Sequence, residues 1–232
     1  DNRVDFVVAG FVGEGSPVGT LAYFANEEGG YNRWDLPTLG SQGIRVVQAA
    51  DLNRDGLMDL VTGADGGNTL VFYLSSEAPE PAPTPTPEPT PTPDPGEEPP
   101  PDEEPPVEEP PEPYQRVEFT PYRVVTDWPI YDLKLTDLDN DGWIDIVAVS
   151  LEGNRLLWFR NNGNENNLDF DEAEVDTALA APSSLDVRDM NDNARTDILV
   201  TTYFGGELLL YDNTGTTETP FVKRVLLPDF SE

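Results

Sequence analysis

The sequence predicts an all-β protein assembled from about four copies of one supersecondary unit. Three observations carry this. Short alternating runs of apolar and polar residues are bounded by Gly, Asn and Pro, the pattern of half-buried strands. No stretch sustains a helical period. A nine-residue acidic loop recurs, with oxygen-bearing side chains at positions 1, 3, 5 and 9, and each copy runs straight into an apolar strand.

The clearest loop places Asp137, Asp139, Asp141 and Asp145 at those positions, with Gly142 at position 6 and Ile146-Val147-Ala148-Val149 behind. A second uses Asp51, Asn53, Asp55 and Asp59, with Gly56 at the turn. A third, Asp189, Asn191, Asn193 and Asp197, has two carboxylates and puts Ala194 in the glycine's place. Asn193 tolerates the left-handed backbone expected there, and this loop is expected to hold a cation weakly or not at all. The chain opens on Asp1 and Asp5, which match positions 5 and 9 of a fourth copy. That half-loop binds only if another segment supplies positions 1 and 3. Clustered carboxylates repel one another unless a cation lies among them. Ca²⁺ takes six to eight oxygen ligands in a flexible array, whereas Mg²⁺ demands tight octahedral geometry and keeps waters, so Ca²⁺ is the expected ion. An EF-hand would end its loop at position 12 between helices. Here the last carboxylate comes at position 9, before a strand.

These residues resemble the FG-GAP/VCBS repeat family, the calcium-loop repeats of integrin-α-like β-propellers. The resemblance spans essentially the whole chain outside one proline-rich insert. It implies four-stranded β-propeller-type blades, Ca²⁺ between two strands of each, the position-7 carbonyls of Leu57 and Trp143 as further ligands, and an extracellular setting.

Taken in order, each unit carries the same parts. The strand after the loop is Val4–Ala9, Met58–Thr62, Ile144–Val149 and Thr196–Thr201. A second strand, ending in aromatics, is Thr20–Phe24, Thr69–Leu74, Arg155–Phe159 and Glu207–Tyr211. A polar turn leads to a weaker third strand at Tyr31–Leu36, Arg116–Val125, Phe170–Asp176 and Phe221–Leu227. The strand leading into the next loop is Ile44–Ala50, Ile130–Thr136 and Ser184–Asp189. A four-stranded unit cannot bury both faces alone, so the units are expected to stack, with Phe24, Phe72, Tyr73, Trp158, Phe159 and Tyr211 between them. The period is about 53 residues: position 5 recurs 52 residues on from Asp141 to Asn193 and 54 on from Asp1 to Asp55. Four full periods plus the insert exceed the 232-residue chain by about 15 residues, so one strand and the front half of its loop are missing. Exposed strand edges template other chains. Either successive subunits complete one another in a filament or ring, or the sequence is part of a longer propeller.

The insert divides the chain into residues 1–77, 78–113 and 114–232. Between Ala78 and Pro113 lie 17 prolines, 11 acidic residues and no Lys or Arg. Proline removes backbone donors and favours an extended helix, so this tract cannot join a sheet. At full extension it spans about 110 Å. It either folds back near Gly96, its one glycine, or delivers everything after Tyr114 to a different module or subunit. Thr84, Thr86, Thr90 and Thr92 sit between prolines, a pattern of O-glycosylated stalks.

Composition bounds the function. The net charge of −32 excludes nucleic acid and argues against anionic membranes. There are no cysteines and no histidines, which removes thiolate zinc sites and the usual nucleophile–base pairs. No run approaches a membrane span. The chain begins inside a motif, which points to a processed product or a piece of something longer. The regularly spaced carboxylates are accounted for by the loops, so no enzyme is expected. The expected role is structural or adhesive, with self-association or surface proteins and glycans as partners. Trp34, Trp128 and Trp143 are the candidates for sugar contact.

Overall fold

The structure is a computed structural model; it describes residues 5–10, 20–27, 30–39, 42–77, 117–164, 168–216 and 220–227. Asp1, the insert 78–113 with its four threonines, and the first residues of the strands expected at Val4 and Arg116 lie outside the described residues. By internal contacts the chain divides into a body, Asp1–Ser76 with Phe119–Glu232, and the segment Glu77–Glu118.

Four antiparallel sheets make up the body, with no helix among the described residues. Sheet I has three strands, β1 (Phe6–Gly10), β2 (Thr20–Glu27) and β3 (Gly30–Leu36), in that order. Sheet II orders β4 (Gln42–Ala50), β5 (Asp59–Gly66), β6 (Thr69–Glu77) and β7 (Val117–Val125). Sheet III orders β8 (Asp132–Thr136), β9 (Asp145–Ser150), β10 (Arg155–Asn161) and β11 (Phe170–Asp176). Sheet IV orders β12 (Pro182–Arg188), β13 (Asp197–Thr202), β14 (Leu208–Asn213) and β15 (Phe221–Leu227). Each is a meander whose neighbours in sequence are neighbours in the sheet. Because β6 neighbours β7, the chain beyond the proline-rich insert rejoins the sheet it left. Of the two courses open to the insert, delivery to a different module is thereby corrected: hydrogen bonding along one strand edge outweighs the stiffness of the intervening tract.

Among the described residues sheet I has no counterpart of β4, β8 and β12, and β1 stands at its edge.

The sheets stack in series. Successive strand residues point to opposite faces, and the burial of β9 shows the consequence, since all six of its residues are buried. Ile146 and Ala148 join Val61, Leu70 and Phe72 of sheet II. Val147 and Val149 join Leu185, Ile198 and Val200 of sheet IV. A third cluster, Leu21, Ile44, Leu60, Val71 and Tyr73, lies between sheets I and II. A strand buried on both faces reads as an unbroken apolar run, which is how Ile146–Val149 reads. The expected aromatics fall in these layers, except that Phe24 stacks on Phe6, ring centroids 4.6 Å apart, on the outward face of sheet I.

Packing between layers leaves little slack at Gly63 of β5. A Cβ there would stand 2.6 Å from Ile130 Cγ2 and 3.0 Å from Val46 Cγ1. Gly63→Ala is therefore expected to destabilise the protein by about 1–3 kcal/mol through overpacking, read as a lower midpoint in urea.

Candidate functional site

Each nine-residue loop joins the first two strands of a sheet: Asp51–Asp59 between β4 and β5, Asp137–Asp145 between β8 and β9, and Asp189–Asp197 between β12 and β13. The local chemistry is the same three times. The position-1 carboxylate folds the loop around itself by accepting backbone N–H groups from positions 5 and 6. Asp137 takes them from Asp141 and Gly142 at 3.1 and 2.8 Å, Asp51 from Asp55 and Gly56 at 3.2 and 3.0 Å, and Asp189 from Asn193 and Ala194 at 3.1 and 2.7 Å. The side chain at position 5 caps the N–H of position 7, as Asp141 does for Trp143 at 2.9 Å. Such side-chain to backbone bonds by Asp and Asn are what make these residues turn formers.

The tight winding needs two left-handed residues per loop. Position 4 is Arg54, Asn140 or Asp192, at φ 61°, 60° and 59°, and position 6 is Gly56, Gly142 or Ala194, at 88°, 91° and 63°. The expectation that Asn193 takes this conformation is corrected: the strain falls on its neighbours Asp192 and Ala194, since positions 4 and 6 turn the backbone toward the position-1 carboxylate. A left-handed alanine costs about 1–2 kcal/mol, so Ala194→Gly is expected to stabilise the protein by roughly 0.5–1 kcal/mol after the added flexibility of the unfolded chain is deducted. Differential scanning calorimetry reads this as a small rise in Tm.

Position 9 is the anchor. Asp59, Asp145 and Asp197 are fully buried. Each takes one N–H from its own loop and one from the end of the sheet's third strand: Leu52 and Ser75 at 2.9 and 2.8 Å, Leu138 and Asn161 at 3.1 and 2.8 Å, Met190 and Asn213 at 2.9 and 2.8 Å. Burial pushes the Asp145 carboxyl up to about 6, against the pull of the Asn161 and Leu138 N–H groups. Burial likewise raises Asp59. A carboxylate in that condition gains from a cation beside it.

Asp137, Asp139 and Asp145 each present a carboxylate oxygen, and these oxygens lie within 4.8 Å of one another. Among the described residues this is the one such acidic group of three. Asp141 stands outside it, exposed, with Arg160 Nη2 at 3.4 Å from one oxygen, while Arg160 Nε pairs with Asp139 at 2.6 Å. Trp143, at position 7, lies under the Arg54 guanidinium, 4.3 Å from its ring centroid. In the first loop Asn53 takes the place of the second carboxylate, and its Nδ2 donates to Asp55 at 3.0 Å, with Leu57 at position 7. In the third, Asn191 donates to Asp212 of β14 at 2.7 Å. Asp5, in sheet I, accepts Asn26 N–H at 2.8 Å and the Tyr23 hydroxyl at 2.7 Å, the same anchoring role as Asp145. Trp34, Trp128 and Trp143 are all half-buried, and Trp128 packs on the layer between sheets II and III under Arg155.

Sequence reasoning missed the residues that tie one loop to the next. Arg54 donates to the Gly142 carbonyl and Asn140 to the Ala194 carbonyl, the latter at 3.2 Å. It also missed Arg160 and Asp212, which occupy the same strand position and set opposite charge beside the second and third loops. The available signal was their shared place one residue before Asn161 and Asn213.

A family model described as FG-GAP-like repeat matches residues 137–200, and one described as FG-GAP repeat matches residues 44–74. Residues 44–74 and 137–200 therefore carry FG-GAP repeats. The two matches together cover all three complete loops, with the whole of β5 and β9 and most of β13 behind them. No curated protein matches the sequence at a significant level. FG-GAP repeats are typically extracellular or surface modules that mediate protein interactions rather than catalysis, and they often bind calcium. No helix among the described residues is long and apolar enough to cross a membrane.

Proposed function

We propose that this chain is a calcium-stabilised extracellular structural or adhesive protein, a building block of a surface or filamentous assembly. Its four sheets act as β-propeller-type blades, with Ca²⁺ held in the acidic loops by the residues at positions 1, 3, 5 and 9 and the position-7 carbonyls. The observation that carries the reading is the trio Asp137, Asp139 and Asp145, whose oxygens converge to within 4.8 Å around a buried anchor. Hard oxygen donors in that number suit Ca²⁺. Metal that binds only the folded loop adds its binding free energy to folding. Residues 78–113 serve as an acidic, proline-rich arm between 1–77 and 114–232, glycosylated on Thr84, Thr86, Thr90 and Thr92. Calorimetric titration of the chelated protein with Ca²⁺, followed by electron microscopy of the same sample, tests this. Binding at two or three sites and ordered polymers are expected; absence of calcium binding overturns it.

A second reading, a carbohydrate- or protein-binding domain of a larger surface protein, is favoured by one feature. Tyr203 and Phe204 stand 71% and 76% exposed in a turn of sheet IV, their rings 5.1 Å apart edge to face. Exposed aromatic pairs are contact points for sugars and protein partners. Binding to a glycan array that is lost in Tyr203→Ala would establish it.

A further inference from the structure

One contact is made twice inside this chain, and its two halves appear a third time unjoined. Leu52, at position 2 of the first loop, is 0% exposed, and its carbonyl accepts Asn161 Nδ2 of sheet III at 3.0 Å. Leu138, at position 2 of the second loop, is 1% exposed, and its carbonyl accepts Asn213 Nδ2 of sheet IV at 2.9 Å. The third loop offers Met190 at the same position, 44% exposed. Sheet I offers Asn26 at the place of Asn161 and Asn213, because its N–H donates to Asp5 as theirs donate to Asp145 and Asp197. Its Nδ2 donates to the Tyr31 hydroxyl at 3.4 Å. Sheet II, which follows the half-loop of sheet I, has Ser75 in that place, and the hydroxyl turns inward to Asp59.

The apolar faces repeat the arrangement. Counting from the anchoring aspartates, Phe6 and Val8 correspond to Ile146 and Ala148, which are buried against sheet II, yet they are 41% and 47% exposed. On sheet IV, Leu199 and Leu208 correspond to Val147 and Leu156, which are fully buried, yet both are only half-buried. Side chains of core type left in the open on a sheet face mark an interface.

We propose that sheet IV of one chain takes sheet I of a second copy, head to tail. Asn26 then bonds to the Met190 carbonyl of its neighbour, and Phe6 and Val8 close over Leu199 and Leu208. The occupant is a second copy because the face must be met by a strand-end asparagine amide and apolar strands in matching register. Sheet I presents both, in the layout of the two interfaces already inside the chain. A head-to-tail contact of this kind is heterologous and grows into a ring or a filament. The proposal rests on the assembly reading above and names its surface. The net charge of −32 opposes association, so it is expected to strengthen with salt and with bound divalent cation.

Sedimentation equilibrium of the full chain in calcium tests it with Val8→Glu, Thr201→Glu and their equimolar mixture. Val8 and Thr201 are exposed on the two faces, so each variant should melt close to wild type. Wild type is expected to grow in mass with concentration, each variant to remain monomeric, and the mixture to form dimers, since each variant keeps the face the other has lost. If both variants assemble as wild type does, another surface is used: this proposal falls and the assembly reading stands. If wild type stays monomeric at every concentration, both fall. The chain has no cysteine, so Asn26→Cys with Met190→Cys gives a second readout. Oxidation to a ladder of linked chains supports the proposal; a disulfide closed within one chain overturns it.

Discussion

Chelation of calcium is expected to lower the melting temperature of this protein by roughly 10–20 °C. A ligand present at a hundred times its Kd stabilises the folded state by about 2.7 kcal/mol per site. Two loops filled to that degree, Asp137–Asp145 and Asp51–Asp59, would together contribute about 5 kcal/mol. For a chain of this length each kcal/mol is worth about 2–4 °C. The third loop adds less, because Asn191 and Asn193 replace carboxylates. Magnesium at equal concentration should restore only a small part of the loss, since it resists giving up its waters. The pH dependence separates ion from fold. With Asp145 raised by burial from the ordinary 3.8 to about 6, its contribution to the metal-free protein is fully present below 3.8, where folded and unfolded forms are both protonated, and is lost as pH rises from there through about 6. The metal-free protein therefore loses this contribution between about pH 4 and 6, and little of it is left at pH 7. The calcium increment runs the other way, because the ion needs the ionised carboxylate. Calorimetry at pH 5 and 7, each with calcium and with chelator, checks both; coincident melts with and without calcium at pH 7 would reject the structural role of the metal.

Asp145→Ala is expected to be the most damaging single change, costing about 3–5 kcal/mol in calcium. The alanine leaves the N–H groups of Leu138 and Asn161 buried with no acceptor, and each orphan costs about 1–3 kcal/mol. It also removes the buried carboxylate of the acidic trio. Asp145→Asn divides the two effects. Its carbonyl oxygen still accepts one of the N–H groups, so in chelator it should lose about half of what alanine loses. In calcium it should lose nearly as much as alanine, because the charge is gone. Urea unfolding of wild type and both variants in the two buffers is the measurement. Equal losses for Asn and Ala in chelator would show that the hydrogen bonds are not what holds the anchor.

Much of this arrangement was legible because it is short-range. A strand announces itself through a two-residue period, and Phe170–Asp176 and Phe221–Leu227 emerged at the expected bounds. The loops announced themselves because turn winding is set by side chains bonding to backbone two to five residues away, as Asp137 does with Asp141 and Gly142. Position 6 showed the limit of that reading. Ala194 carries the left-handed turn that its residue type disfavours, and only the surrounding bonds to Asp189 explain why.

By itself, then, the amino-acid order determined the all-β class, the order and approximate place of the strands, the repeat period and the residues gathered at each bend, all matters of neighbours within a few positions. Where strands end it placed less well, as Met58–Thr62 runs on to Gly66 and Thr69–Leu74 to Glu77. What tertiary structure alone decided is how one repeat grips the next. Asn161 reaches the Leu52 carbonyl across 109 residues and Asn213 reaches Leu138 across 75. Strand β7 returns to β6 past the proline-rich tract. Contacts of that span leave no local period in the sequence, because the partner of each group is set by which sheets stack face to face, and stacking is driven by apolar area that many registers can bury until the hydrogen bonds select one.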